Sequence, residues 1–280
     1  MKYDRLRAEK LHQAELLILR SKNMKALLGN WLADQLEKAK RKQSGHIIVG
    51  YLASPYGQSF AEKTERLLEP FLLHAASECP RLRKKFIEAK HQPEFEALFF
   101  ELEVGCRLLS RRYQLVVEPF RKERGPDFRI GLGNQSVYVE VKKLQPDADE
   151  QKLRESKRAW ARIITPAELD KRMWNLHERY LVGTQFPRDG LHVLVVDIFK
   201  SLRSDSPLSR AWEYYCSQPQ ENPRDFIHAL VVCRREMQRH AFWLNDLTDG
   251  VSISFHPVVS TSNTALETLK SIFGEDVEPE

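Results

Sequence analysis

Val193-Leu194-Val195-Val196 is apolar at every position. Side chains alternate between the two faces of a strand, so a half-exposed strand shows a polar residue at every second place. A run apolar on both faces predicts a central strand, covered by helices on each side of its sheet. The helices that such a strand demands are legible elsewhere. Leu11, Leu16 and Leu19, then Leu27, Leu28, Trp31, Leu32 and Leu36, recur at helical spacing, and the first ninety or so residues read as mainly helical. His46 to Leu52 reads as a short strand that ends in the turn chemistry of Ser54-Pro55-Tyr56-Gly57. A further helix is expected from Ser59 to Ser77. The basic cluster Arg81, Arg83, Lys84 and Lys85 reads as a solvated helix face in preference to a phosphate-binding patch.

The pattern changes at Pro93. Phe95, Leu98, Phe99, Leu102, Cys106 and Leu109 form one stripe of a helix predicted over Glu94–Tyr113, with Pro93 suited to its first turn. Strands are expected over Gln114–Phe120, Asp127–Leu132 and Ser136–Leu144. Thr165-Pro166-Ala167-Glu168 is a capping box that opens a helix running to about Tyr180. Apolar runs at His192–Phe199, Phe226–Cys233 and Val251–Val259 complete the strand set, and the acidic tail from Glu275 is expected to fray. The order helix, three strands, helix, strand favours an α/β mixed sheet with helices on both faces. Two regions follow: a mainly helical one at 1–92 and a sheet domain at 93–280.

Composition narrows the function classes. The net charge of +5 permits a polyanionic partner without requiring one. Cys79, Cys106, Cys216 and Cys233 contain no CxxC pair, which argues against a zinc ribbon or a dithiol redox site. The charged N-terminus reads as an amphipathic helix, not a signal peptide, and no apolar run is long enough to span a bilayer. A cytoplasmic protein without a membrane partner is the expectation.

The segment richest in chemistry runs from Gly125 to Lys142. Gly133-Asn134 suits a two-residue hairpin turn, because both residue types tolerate positive φ. Leu132 then faces Gln135, and counting outward sets Asp127 opposite Glu140. Phe128, Ile130, Val137, Val139 and Val141 share one face; Asp127, Arg129, Tyr138, Glu140 and Lys142 share the other. Carboxylates opposed at roughly 5 Å between Cβ atoms repel, and a divalent cation is a natural occupant of the gap. Lys142 adds an ammonium to the same face, placed to hold or help deprotonate an attacking water or to stabilise a transition state. The bland alternative is an amphipathic hairpin whose polar face meets solvent. Against it stand the Gly-Pro before Asp127 and the valines flanking Glu140, which imply burial.

Pro126-Asp127, followed in the next strand by Glu140-Val141-Lys142, resembles the signature of the PD-(D/E)xK, or restriction-endonuclease-like, nucleases. The resemblance covers roughly residues 93–199 and implies an αβββαβ core, here with a helical N-terminal extension. It implies Mg²⁺ or Mn²⁺ held by Asp127, Glu140 and the carbonyl of Val141, with Lys142 acting on the nucleophilic water. It also implies a glutamate on the first core helix, assigned to Glu101, with Glu96 and Glu103 as alternatives. Glu103 lies further round the helix and is expected in solvent. The glutamine-tyrosine pattern of the exonuclease branch is missing from the helix ending at Tyr180, where Lys171, Arg172, Trp174 and His177 stand instead. What is implied is an endonuclease acting on nucleic acid, DNA before RNA. A double-strand cut favours a homodimer on symmetry grounds.

Other chemistries find no support. Gly131-Leu132-Gly133 lacks a third glycine, no HExxH or Gly-x-Ser-x-Gly occurs, and the five tryptophans are scattered. His177 and His192 read as incidental. Two rivals stay open: a non-cutting nucleic-acid-binding module or regulatory subunit on the same fold, and a non-nuclease α/β protein with a polar hairpin face.

Overall fold

The computed structural model describes residues 2–118, 125–143, 189–200, 227–236, 251–257 and 261–274. The helix expected near Thr165–Tyr180, together with Lys171, Arg172 and His177, lies outside them. So do Cys216 and the tail from Glu275. The described residues fall into two compact units that divide after Val117.

The first unit is helical, as its leucine spacing predicts. It contains α1 (Lys2–Arg20), α2 (Lys22–Leu28), α3 (Asn30–Lys40), α4 (Ile47–Leu52), α5 (Gly57–His74), α6 (Cys79–Glu88) and α7 (Gln92–Ser110), then strand β1 (Gln114–Val117). The stretch expected as a strand at His46–Leu52 is instead α4. The His46 imidazole accepts the Ile48 N–H and caps a turn, and Ile48, Val49 and Leu52 then face inward at helical spacing. A short apolar run does not distinguish strand from helix by itself. The helix expected at Glu94–Tyr113 forms as α7, shifted by less than a turn, with Pro93 at its start and a His91–Glu94 capping box. It packs within the helical unit. Phe95 and Phe99 on α7 close on Phe60 of α5 and Phe86 of α6, with ring centroids 5.0–6.2 Å apart.

Three corrections concern charges. Glu103, expected in solvent, is buried, with its side chain only 8% exposed, and it pairs with Lys63 of α5 at 2.9 Å. Arg81 and Lys85, expected on a solvated face, turn inward: Arg81 donates to Glu78 and to the Val117 carbonyl, and Lys85 to Glu101. Only Arg83 and Lys84 of that cluster are exposed. The physical reason is shared. Each long side chain reaches a group on another element (Glu103 to Lys63, Lys85 to Glu101, Arg81 to the Val117 carbonyl), and sequence periodicity carries no record of such distant partners.

The second unit is built on a mixed sheet. Its strands β2 (Phe128–Leu132), β3 (Gln135–Lys143), β4 (Leu191–Lys200), β5 (Ala229–Glu236) and β6 (Val251–Pro257) stand side by side in chain order. The β2–β3 and β5–β6 pairs are antiparallel; β3–β4 and β4–β5 are parallel. The mixed α/β class expected from the sequence is therefore present. Strand β4 is central, and Val193, Leu194, Val195 and Val196 are each at most 2% exposed. That burial on both faces is what their uniform apolarity requires. Helix α8 (Asn263–Phe273) has no counterpart among the sequence expectations. The Ser262 hydroxyl caps it by accepting the Ala265 N–H, and Ala265, Leu269, Ile272 and Phe273 are buried. Among the described residues no helix is long and apolar enough to cross a membrane.

Candidate functional site

The hairpin register is the one the turn dictates. Gly133 has φ +58°, Leu132 pairs with Gln135, and Phe128 pairs with Val139. Asp127 lies one residue beyond the last pair of that ladder, on the side toward Glu140 and Val141. Phe128, Ile130, Val137, Val139 and Val141 are all buried, as one face of an amphipathic hairpin should be.

Asp127 sits where strand β2 begins, and Pro126 explains why the ladder stops there. Proline has no N–H to offer, so main-chain pairing cannot continue past it. The Asp127 carboxylate takes over: Oδ2 accepts the Val141 N–H at 2.9 Å, while the Asp127 carbonyl accepts the Glu118 N–H at 2.8 Å. This pins the carboxylate against the segment Glu140-Val141. A strand-ending role alone would explain one oxygen of Asp127, but it does not explain what lies opposite.

Glu140 is 2% exposed, and its register partner on β4 is Leu194, itself fully buried. A carboxylate in such surroundings is costly unless charge reaches it. Lys142, two residues on and on the same face, supplies one cation: its Nζ contacts Glu140 Oε1, and the lysine side chain stays 29% exposed. The site thus has a buried acid, a second acid pinned opposite, and an ammonium that spans from the buried acid toward water.

This donor set suits a hard divalent cation. Magnesium ordinarily takes one or two carboxylates and fills its remaining positions with water and substrate oxygens. Among the described residues no group of three or more His, Cys, Asp or Glu is placed to hold a metal. The two opposed carboxylates are therefore the side-chain ligands that the described residues offer here, with the Val141 backbone beside them.

Asp127, Glu140, Val141 and Lys142 come together within the sheet unit. Glu101 belongs to the helical unit, on α7, where it is mostly buried and paired with Lys85 of α6. Glu96, the other alternative, is half-buried on α7 and accepts a hydrogen bond from Gln92.

His192, which reads as incidental in the sequence, is 4% exposed and lies on the face that bears Glu140. Tyr138 on β3 pairs in register with His192 on β4, with ring centroids 6.0 Å apart, and the His228 ring lies 5.4 Å beyond. His228 Nδ1 accepts the His192 N–H at 3.0 Å, and His228 N–H donates to the His192 carbonyl at 2.8 Å. Burial, with His192 alongside, pushes the His228 imidazole down to about 4. Gly190 makes room for this row. Its φ is +92°, and a Cβ there would stand 2.6 Å from the Ser136 carbonyl oxygen and 2.8 Å from the Tyr138 ring. Histidines at the starts of two successive apolar runs are the available signal, but only sheet order shows that they are neighbours.

Matched against known proteins, the chain finds no family model, no curated protein and no solved structure similar to it.

Proposed function

We propose that this protein is a metal-dependent nuclease that hydrolyses phosphodiester bonds of nucleic acid, DNA in preference to RNA, on a restriction-endonuclease-like core. The observation that carries the proposal is a buried Glu140 with Lys142 two residues on along β3, and the Asp127 carboxylate held against the same segment by the Val141 N–H. The family resemblance rests on the Pro126-Asp127 and Glu140-Val141-Lys142 pattern together with the element order read around it in the sequence. The geometry supplies a separate, physical support: two acids close together across a hairpin repel, and a cation held between them relieves that repulsion.

In this reading Asp127 and Glu140 hold Mg²⁺ or Mn²⁺, with the Val141 carbonyl as a further oxygen. When bound, the ion supplies Lewis-acid chemistry, lowering the pKa of a coordinated water and offsetting charge on the phosphoryl oxygens. The chain's own groups do the positioning. The Val141 N–H holds one oxygen of Asp127 in place. Burial of Glu140 keeps bulk water from competing for its oxygens. An ammonium donates hydrogen bonds and accepts none. Lys142 therefore holds the attacking water or a developing phosphorane oxygen, and its partial exposure lets it reach substrate. Water adds to phosphorus, one P–O ester bond breaks, and the leaving oxygen takes up a proton. Glu101 enters the proposal by resemblance, as a supporting acid.

The test is cleavage of supercoiled plasmid, single-stranded DNA and RNA with Mg²⁺, Mn²⁺ or EDTA. Wild type should cut one of them in metal and none in EDTA. Asp127→Ala and Lys142→Ala should each lose at least about a hundred-fold in rate, the usual scale for a positioned catalytic group. Cutting that survives both substitutions would overturn the assignment.

A further inference from the structure

Charge is divided unequally along this chain. Residues 1–117 hold 21 Lys and Arg against 14 Asp and Glu, so with a total of +5 the remainder is net acidic. The basic excess of the whole protein therefore resides in the helical unit, whereas the opposed acids belong to the sheet unit. Part of that excess is spent internally, on Glu78, Glu101 and Glu103. Of the exposed remainder, one group stands close together on α1 and α3.

On α1, Arg7, Lys10, Ala14 and Leu17 recur at spacings of three and four and so share a stripe. Ala14 and Leu17 are buried, while Arg7 and Lys10, nearer the N-terminus, are exposed. The Arg7 guanidinium donates to the Ala39 carbonyl at 2.8 Å, which sets this basic end of α1 beside the last turn of α3. There the chain reads Lys38-Ala39-Lys40-Arg41-Lys42, and all four cations are exposed. A second bridge, Lys40 Nζ to Glu15 at 2.8 Å, ties the same two helices together.

Cations at a helix C-terminus also complement its dipole, and that accounts for some of these residues. Arg7 caps α3, Lys40 is shared by Glu15 and Glu37, and Arg5 pairs with Glu9. Lys10, Lys38 and Arg41 have no acidic partner among the described residues. Arg41 and Lys42 follow the end of α3, and Lys42 lies in the left-handed region with φ +62°. A dipole is served by one or two charges within its last turn. It does not call for Lys10 on a neighbouring helix.

We propose that this surface of α1 and α3 is a docking site for the phosphate backbone of a nucleic acid, distinct from the Asp127–Glu140–Lys142 centre. It rests on the nuclease reading only for the choice of polyanion. Regular phosphate spacing suits several exposed cations on adjoining helix ends, and such contacts supply affinity without sequence readout. Exposed Leu6 on the same stretch of α1 makes an anionic membrane the rival partner, to be settled by the same experiment.

The experiment uses the full chain in EDTA, so that binding is read without cutting. Fluorescence anisotropy of a labelled, random-sequence DNA duplex gives the affinity across a range of salt. Lys10→Ala, Lys38→Ala and Arg41→Ala are combined in one variant. Arg20→Ala, Lys22→Ala and Arg83→Ala form a second, which removes the same charge from exposed sites elsewhere on the unit. Three lost phosphate contacts should reduce the slope of log K against log salt by about 2.7 and lower affinity on the order of a hundred-fold. The second variant should retain most of the slope, and both should melt with wild type. Because binding is read in EDTA without cutting, a failed nuclease reading leaves this outcome intact. Equal losses in both variants would mean diffuse charge and would overturn the surface. So would absence of duplex binding by wild type, or binding to phosphatidylserine vesicles but not to the duplex.

Discussion

Both units bury carboxylates, but they treat them in opposite ways. In the helical unit the buried Glu78 and the partly buried Glu65 and Glu103 each meet a donor that the fold itself provides. Glu65 caps α2 by accepting the Asn23 and Met24 N–H groups at 2.7 and 2.8 Å. Glu78 accepts the Val117 N–H and the Arg81 guanidinium, and Glu103 takes Lys63. These acids hold structure together. In the sheet unit Asp127 and Glu140 are set against each other, and a part-exposed Lys142 offers charge to the deeper one. Asp127 also joins elements, through the Val141 N–H, but its placement beside a second, buried acid needs a reason outside the fold. The difference separates architecture from chemistry on physical grounds alone, and it is open to measurement.

The largest effect should come from breaking an architectural pair. Lys63 and Glu103 are 3% and 8% exposed in their side chains, so removing either takes an ion-pair partner from a charge buried between α5 and α7. Lys63→Met and Glu103→Gln should each cost roughly 3–5 kcal/mol in denaturant unfolding. The double substitution Lys63→Met with Glu103→Leu should recover most of it, since a packed apolar pair replaces the ions at similar volume. If the single variants unfold with wild type, the helical unit does not depend on its buried ions and the contrast collapses.

A second effect tests the sheet unit's other buried polar row through pH. His228 is held near 4 while an unfolded histidine titrates near 6.5. Its folded value is depressed, so the folded state binds fewer protons. The associated stability is fully present above pH 6.5 and is lost as pH falls toward 4. The loss amounts to about 3 kcal/mol. The geometry gives the cause, since Nδ1 cannot gain a proton and still accept the His192 N–H. His228→Asn keeps an acceptor that does not titrate. Its stability curve between pH 7 and 4 should be flatter than wild type by about that amount, because carboxylate contributions are common to both. Parallel curves would show that His228 titrates as an ordinary surface histidine.

What the sequence disclosed, and what it hid, follows the same division. Local rules are sufficient for the hairpin: Gly133 sets the turn, the turn sets the register, and alternation assigns the faces. The uniform apolarity of Val193–Val196 is enough to place β4 at the centre. Sequence reasoning fails where a residue's role depends on a partner far along the chain. Lys63 meets Glu103 forty residues away, Arg81 reaches Val117, and His192 acquires His228 only once β4 and β5 lie side by side. His46–Leu52 fails for a different reason, since a seven-residue stretch with five apolar residues satisfies either period until a cap decides. Helix α8 carries its own signal, Ser262 at the cap and the spacing Ala265, Leu269, Ile272, and is legible on that basis.

The smallest predicted effect is the most discriminating. Glu140→Gln keeps side-chain volume and deletes the charge. Were Glu140 an architectural acid like Glu103, the loss would cost several kcal/mol. As a member of an opposed pair it should cost little, because the neutral amide no longer repels Asp127 across the hairpin. Lys142, already part-exposed, can be hydrated when its partner is neutral. The melting temperature in EDTA should therefore stay within a few degrees of wild type or rise, as is common when a functional site is neutralised. Adding Mn²⁺ should then raise the melting temperature of wild type and leave that of Glu140→Gln unmoved, since a ligand stabilises only the folded state that binds it. A large loss in EDTA, comparable to that of Glu103→Gln, would return Glu140 to the architecture. The two units would then differ in fold alone, and the case for chemistry at the hairpin would go with that distinction.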